Sequence, residues 1–341
     1  VTALTTSAVP ATALDERGRT WSIRRAWPDK EGGITVEALH PEERHARGGR
    51  MRGDGVELAP LGEDRRLPAL ADAARRGTVL VHRLGRRAVV REHDGGAFRK
   101  IVRPGRAGSI AAASAPKGWP ARFALARVLD ADEQSVRFAA LPGRTLRALG
   151  EEEGTAWLEA WQGFARAWAA VPAATTSIAA EHGPEREAAV LLAWVRMASP
   201  LGPHPLALQQ RAERLAERLQ DGGAQPLRPA HRDLHDGQVL WHPERGLALL
   251  DLDTAALAEP ALDLGNLLAH LDWRVRQGGL HPLRAGRIRS MLQRTAVEAG
   301  ADPERMALAE RVAALRIACV HRFRPPSRAL AEALLRDELA R

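Results

Sequence analysis

The stretch LRPAHRDLHDGQVLWHPERGLALLDLD runs from Leu227 to Asp253 and continues as TAALAEPALDLGNLLAH to His270. Asp233 stands five residues before Gln238, and Asp251 closes an apolar run thirteen residues after Gln238. Val239-Leu240-Trp241 and Ala248-Leu249-Leu250 are short apolar segments. The Pro243 to Gly246 breakers between them predict a hairpin. Centred on Glu244 and Arg245, that hairpin sets Trp241 opposite Ala248, Val239 opposite Leu250, and Gln238 opposite Asp251. Cross-strand partners lie about 4.5–5.5 Å apart, so an amide oxygen and a carboxylate could share one hard cation. Mg²⁺ favours such oxygen ligands and keeps positions for water and phosphate.

A third group must handle an incoming nucleophile, and Asp233 is placed for it. A carboxylate near a metal-bound triphosphate can orient a substrate hydroxyl and take its proton as the bond to phosphorus forms. H-R-D-x-x-x-x-Q followed by an apolar strand ending in Asp resembles the catalytic and metal loops of aminoglycoside phosphotransferase-like kinases, relatives of protein kinases. Their downstream D-P-A-x-D-L-A pattern stands here as Glu259-Pro260-Ala261-Leu262-Asp263-Leu264-Gly265. The resemblance implies Asp233 as catalytic residue and Asp251 as metal ligand, with Asp253 its rival. Gln238 falls where the family carries a metal-binding Asn, and maltokinase-like members are similar in having Gln there. His231 and Asp263 match positions that brace the loop. Two other readings stay open: an ordinary hairpin with solvated acids, or a metal hydrolase built on His231, Asp233, His235 and Asp236.

The totals fit this picture. The chain has 341 residues, enough for one large domain or two moderate ones. Apolar content of 45% with 27% charged residues describes a globular protein, and no apolar run approaches a membrane span. No signal-like start is visible, and the single cysteine, Cys319, excludes an internal disulfide and fits a cytoplasmic location. The net charge of +8 invites a nucleic-acid reading, but the arginines are interleaved with acids, so no nucleic-acid partner is expected.

Residues 1–75 read as an N-terminal tail, flexible to about residue 18, then an extra β-rich cap with a short helix from Leu67 to Arg76. Residues 76–141 read as a small antiparallel lobe, with strands at Val79 to His82, Ala88 to Arg91 and Ala97 to Val102. Lys100, one of only three lysines (Lys30, Lys100, Lys117), falls where the family places its phosphate-pairing lysine. No glycine-rich loop separates these strands; Gly95 and Gly96 are the candidates for covering phosphates through backbone N–H groups. The segment from Gly108 to Arg127 contains no acid, so the family's helix glutamate is missing and Glu92 is one substitute. Leu141-Pro142-Gly143-Arg144 resembles the family's hinge-exit turn, making backbone groups near Ala139 and Leu141 the adenine-binding candidates.

Residues 142–341 read as a helical lobe. Trp157, Trp161, Phe164 and Trp168 recur on one helical face, and Leu308, Val312, Leu315 and Cys319 form another. Asp302-Pro303 predicts an N-cap with Pro at N1. The resulting expectation is an α+β, two-lobed protein kinase-like fold, with ATP and Mg as cofactors and a small-molecule hydroxyl as acceptor. From Leu271 to Arg341 there are 14 arginines against eight acids, which leans towards a neutral or anionic acceptor. A nucleotide-binding pseudokinase or scaffold is the alternative.

Overall fold

Asp15 starts the first sheet. Its carboxylate accepts the backbone N–H groups of Arg17 and Arg19 and the indole N–H of Trp21, which turns the chain back on itself. The computed structural model describes residues 8–28, 33–113, 122–171, 180–221 and 225–341. Five antiparallel strands follow one another in order: β1 (Thr12–Leu14), β2 (Thr20–Pro28), β3 (Ile34–Leu39), β4 (Ala46–Arg52) and β5 (Gly55–Leu58). Of the expected flexible tail, residues 1–7 lie outside the described residues. Thr12–Leu14 instead pairs with Thr20–Ser22, and Val9 is buried.

Helix α1 (Leu70–Arg76) leads into a second sheet made of β6 (Gly77–Arg83), β7 (Arg87–Glu92), β8 (Ala97–Val102), β10 (Val128–Ala131) and β11 (Ser135–Ala139). Its order is β10-β11-β8-β7-β6, all antiparallel. Helix α2 (Ala107–Ala113) and strand β9 (Phe123–Leu125) lie between β8 and β10 in the chain. Glycine is required at the edge of this sheet, because a Cβ on Gly77 would meet the Arg91 carbonyl oxygen at 2.3 Å.

After the sheet, β12 (Arg144–Thr145) runs into α3 (Leu146–Glu151), capped by the Thr145 hydroxyl, which accepts the Ala148 N–H at 3.1 Å. Next come α4 (Ala156–Ala169), α5 (Pro184–Ala198) and α6 (Pro205–Gln220). The aromatic face of α4 is core, as its spacing predicts: Trp157, Trp161, Phe164 and Trp168 are all buried. Then follow β13 (Arg228–Ala230), β14 (Val239–His242), β15 (Gly246–Leu249) and β16 (Ala256–Ala258). Helices α7 (Pro260–Arg276), α8 (Pro282–Glu298), α9 (Pro303–Arg322) and α10 (Arg328–Leu339) complete the chain.

The fold is therefore α+β and two-lobed, a β-rich N-terminal part joined to a helical C-terminal part. Asp302 caps α9 by accepting the N–H groups of Glu304 and Arg305, and Cys319 is fully buried on its apolar face. The first sheet is wedged against the helical lobe. Trp21, Ile23, Ile34 and Val36 share one core with residues of α5, α6, α9 and α10. No helix among the described residues is long and apolar enough to cross a membrane.

Candidate active site

The loop from His231 to Gly237 joins β13 to the β14–β15 hairpin, and α7 holds it from below. The Asp263 carboxylate, in the first turn of α7, accepts the N–H groups of His231 at 2.6 Å and Arg232 at 2.8 Å. Asn266, one turn on, donates its amide to the Leu234 carbonyl at 2.8 Å. His231 donates its Nε2–H to the Leu250 carbonyl at 2.7 Å, and the Thr254 hydroxyl donates to the His231 carbonyl at 3.0 Å. Arg232 is left at φ 68°, a left-handed conformation that a non-glycine residue adopts only when its surroundings enforce it. The loop is locked from both ends, with Asp233 at its apex.

The hairpin differs from its expected register by one residue. Trp241 pairs with Leu247 and Val239 with Leu249, so Gln238 lies opposite Leu250, whose N–H it accepts at 2.9 Å. The cause is the turn. The His242 ring nitrogen accepts the N–H groups of Glu244 and Arg245, and Gly246 takes φ 74°, so three residues rather than two close the hairpin. Asp251 then falls outside the ladder at φ 50°, the second left-handed non-glycine residue among those described. That turn of the backbone aims its carboxylate at the N-terminal lobe.

There it meets Lys100 from the middle of β8. The ammonium is 2.8 Å from the Asp251 carboxylate and also bonds Asp253. Arg87, at the start of β7, is 3.7 Å from the other Asp251 oxygen. Burial works against ionisation of Asp251, but Lys100 and Arg87 outweigh it and hold the carboxyl below its ordinary range. The absent helix glutamate is accounted for: α2 carries no acid, and Asp251 and Asp253 pair with the lysine directly. Glu92, the proposed substitute, is occupied elsewhere by Arg99 and Arg137.

Lys100, Asp233, Asp251, Asp253 and Thr254 line one wall of a cavity of about 490 Å³ between the lobes. The rest of its lining is mainly basic: Arg83, Arg86, Arg87, Arg103 and Arg106. These come from the ends of β6 and β7, the turn between them and the residues after β8, none of which the sequence reading singled out for the site. The density of arginine in HRLGRR and RPGR was the available signal. The turn's amides are already engaged, since Gly85 donates to Asp64 at 2.5 Å and Arg86 to the Arg83 carbonyl at 2.9 Å. Arg103 in turn donates to the Gly85 carbonyl at 2.6 Å. Arg83 is lowered to about 10 by burial and by the like charges of Arg86 and Arg87.

Gly95 and Gly96 do not reach this wall. They are exposed in the β7–β8 turn, where Gly95 donates to the Glu92 carbonyl and Gly96 to Asp94. That turn sits beside the hinge instead, because Ala140 donates to the Gly96 carbonyl at 2.9 Å. Ala139 donates to the Arg127 carbonyl, and Leu141 follows, leading to Gly143, which packs tightly on β14. Gln238 is at the base of β14 rather than on the cavity wall.

The arrangement for a metal hydrolase does not form. His235 accepts the Gly237 N–H and rests against His270, while Asp236 lies between Arg147 and Arg274. His231 is taken by Leu250. Asp251 and Asp253 converge on one positive charge and offer two carboxylates of the oxygen-donor kind that a hard divalent cation takes, though no group of three or more such side chains gathers among the described residues.

Fold and site together define a small-molecule phosphotransferase of the kinase-like class. The chain belongs to the phosphotransferase enzyme family, whose profile matches residues 54–309. No curated protein sequence matches it. Among solved structures, it is similar to an aminoglycoside phosphotransferase from Streptomyces rimosus, 18% identical, over 74% of this chain and 96% of that one (TM-score 0.53). A choline kinase from Streptococcus pneumoniae is 11% identical over 76% and 92% of the two chains (TM-score 0.53). At these identities the likeness shows the fold.

Proposed function

We propose that this chain is an ATP- and Mg²⁺-dependent kinase that phosphorylates a hydroxyl of a small molecule. The observation that carries this is the meeting of Lys100, Asp251, Asp253 and Asp233 on one inter-lobe cavity with a wall of arginines. Asp251 and Asp253 would hold Mg²⁺ from the cavity wall. Bound there, the ion would neutralise phosphate charge and shield the leaving group.

The chain's own residues supply the rest. Adenine would lie against the hinge near Ala139 and Leu141. Lys100 would position the phosphates, and arginine side chains would replace the backbone cradle whose amides are engaged within the β6–β7 turn. Asp233 would accept the acceptor hydroxyl as a hydrogen bond and receive its proton. The acceptor oxygen forms its bond to the γ-phosphorus while the bond to the β-phosphate oxygen breaks, releasing ADP. The loop holding Asp233 is fixed by Asp263, Asn266 and Thr254, so the positioning that this chemistry relies on is in place before substrate arrives.

The test is phosphoryl transfer from Mg·ATP over a panel of sugars, hydroxy acids, amino alcohols and aminoglycosides, with products scored by mass spectrometry. Asp233→Asn should bind Mg·ATP normally and lose about 10²–10⁴-fold in turnover. Unchanged turnover in that variant would remove Asp233 from the mechanism. Nucleotide binding without any Asp233-dependent product would favour a nucleotide-binding scaffold.

A further inference from the structure

Arg83, the last residue of β6, lines the inter-lobe cavity and is partly buried there. Its guanidinium lies over the indole of Trp27, 4.9 Å from the ring centroid, and Trp27 belongs to β2 of the first sheet. The segment that carries Arg83 is pinned from the same sheet. The His82 ring accepts the Gly48 N–H through Nδ1 at 2.9 Å, and the His82 backbone N–H donates to Glu37 at 2.9 Å. The other ring nitrogen, Nε2, is then left to donate to Asp64 at 3.2 Å, and Asp64 also accepts the Gly85 N–H. Arg83 is therefore fixed in direction.

It is not neutralised. Its Nε is enclosed without a hydrogen-bond partner. Burial and the like charges of Arg86 and Arg87 act on it, and no acid among the described residues counters them. The aromatic seat holds the guanidinium by its face and leaves its edge N–H groups free. The whole cavity shares this imbalance, with Lys100 and five arginines against three carboxylates. Two of those carboxylates, Asp251 and Asp253, are paired with Lys100, so the surplus falls on the arginines. Enclosed donors without acceptors are costly, and a phosphate, whose oxygens match the arginine fork, offsets that cost well. The surplus lies on the donor side of the proposed reaction. All five arginines belong to the lobe that carries Lys100, and Arg87 reaches the Asp251 oxygen that Lys100 does not bond.

Resting on the kinase reading of this cavity, we propose that Arg83 grips the phosphate chain of the donor and that Trp27 is its positioning residue, which makes the first sheet part of the donor site. The donor is then recognised chiefly by its triphosphate. An inorganic tripolyphosphate carries the same recognised group without a base and is a ligand of the same cavity.

The experiment measures binding to the full chain by titration calorimetry in Mg²⁺ buffer, with adenosine, ADP, ATP and inorganic tripolyphosphate as probes. Glucose 6-phosphate is the probe for a phosphorylated acceptor. Affinity should climb from adenosine to ADP to ATP, and tripolyphosphate should displace ATP. Arg83→Gln should weaken ATP at least about tenfold while adenosine is bound as before. Arg83→Lys keeps the charge but not the fork, so it should fall between the two, and it carries the comparison if Arg83→Gln does not fold. Trp27→Leu should weaken ATP by about two- to tenfold, and Trp27→Phe, which keeps an aromatic face, should recover most of that loss. Equal losses for adenosine and ATP, a Trp27→Phe variant as weak as Trp27→Leu, or tripolyphosphate that does not compete would each overturn the assignment. So would Arg83-dependent binding of glucose 6-phosphate with ATP unaffected, which would give the arginines to a phosphorylated acceptor. Arg83-dependent binding of ATP and tripolyphosphate without any Asp233-dependent product would keep this assignment and remove the kinase. Asp233-dependent turnover with the KM for Mg·ATP unchanged in Arg83→Gln would do the reverse.

Discussion

At the scale of single residues, Lys100 carries the most. It is nearly buried, and it bridges two carboxylates that come from a different lobe. Lys100→Met should destabilise the protein by about 1–2 kcal/mol at pH 7, because it leaves Asp251 and Asp253 beside each other with only the more distant Arg87 as counter-charge. The pH dependence has a definite sign. Asp251 is held below its ordinary value of 3.8 in the folded state, so the pair's stabilisation is complete above that value. It is lost as pH falls through the depressed pKa. The difference in Tm between wild type and Lys100→Met should be full at pH 7 and shrink below about pH 4; a constant difference would show that packing, not charge, decides it. Lys100, Asp233 and Asp251, singled out in the sequence by motif spacing, do meet on one cavity. The partners of Lys100 were not legible there. Sequence spacing assumes a regular ladder, whereas Asp251 leaves the ladder through a left-handed φ that three-residue hairpin closure imposes.

At the scale of elements, α7 couples the loop to the core. Asp263 and Asn266 on one face hold the catalytic loop, and Gly265 between them faces α9. A Cβ at Gly265 would lie 2.7 Å from the Ala309 Cβ and 2.8 Å from the Glu310 nitrogen, so the helices could not keep their present approach. Gly265→Ala improves helix propensity but forces two backbones apart, and overpacking of this kind costs about 1–3 kcal/mol. Tm should fall by roughly 2–8 °C, and turnover should fall with it because Asp263 moves. A variant at least as stable as wild type would mean that α9 yields without cost. Most elements were readable in advance: the strands around Lys100, the tryptophan face of α4, the Asp302 cap and the apolar stripe ending at Cys319. Period and capping chemistry are local, and so are the signals that report them. Gly95 and Gly96, singled out for their glycine content, lie off the cavity that Lys100 and Asp251 line. The choice between two hairpin turns depends on which end of the sheet faces the other lobe, a property of tertiary packing.

At the scale of the whole molecule, the first sheet joins the two lobes. Its inner face shares a core with α5, α6, α9 and α10. Its other contacts reach the nucleotide lobe, where Gly48 donates to the His82 ring at 2.9 Å and the His82 N–H donates to Glu37 at 2.9 Å. A sheet so placed belongs to the enzyme's core architecture rather than to an appended module. Four of its large side chains, Trp21, Ile23, Ile34 and Val36, are almost wholly enclosed. At about 1.5–3 kcal/mol each, their burial amounts to roughly 6–12 kcal/mol, as much as the net stability of an ordinary domain. A chain beginning at Leu61 would lose that burial and expose the matching face of the helical lobe, including Leu208, Leu308 and Ile317. It should aggregate or bind a hydrophobic dye, with no cooperative thermal transition near that of the full chain. The intact protein, by contrast, should lose the first sheet and the helical lobe in one step, followed by backbone circular dichroism or by tryptophan fluorescence, because neither can open without breaking the core they share. A soluble truncated chain with an unshifted Tm would show that the helical lobe stands alone and that the sheet is dispensable to its stability.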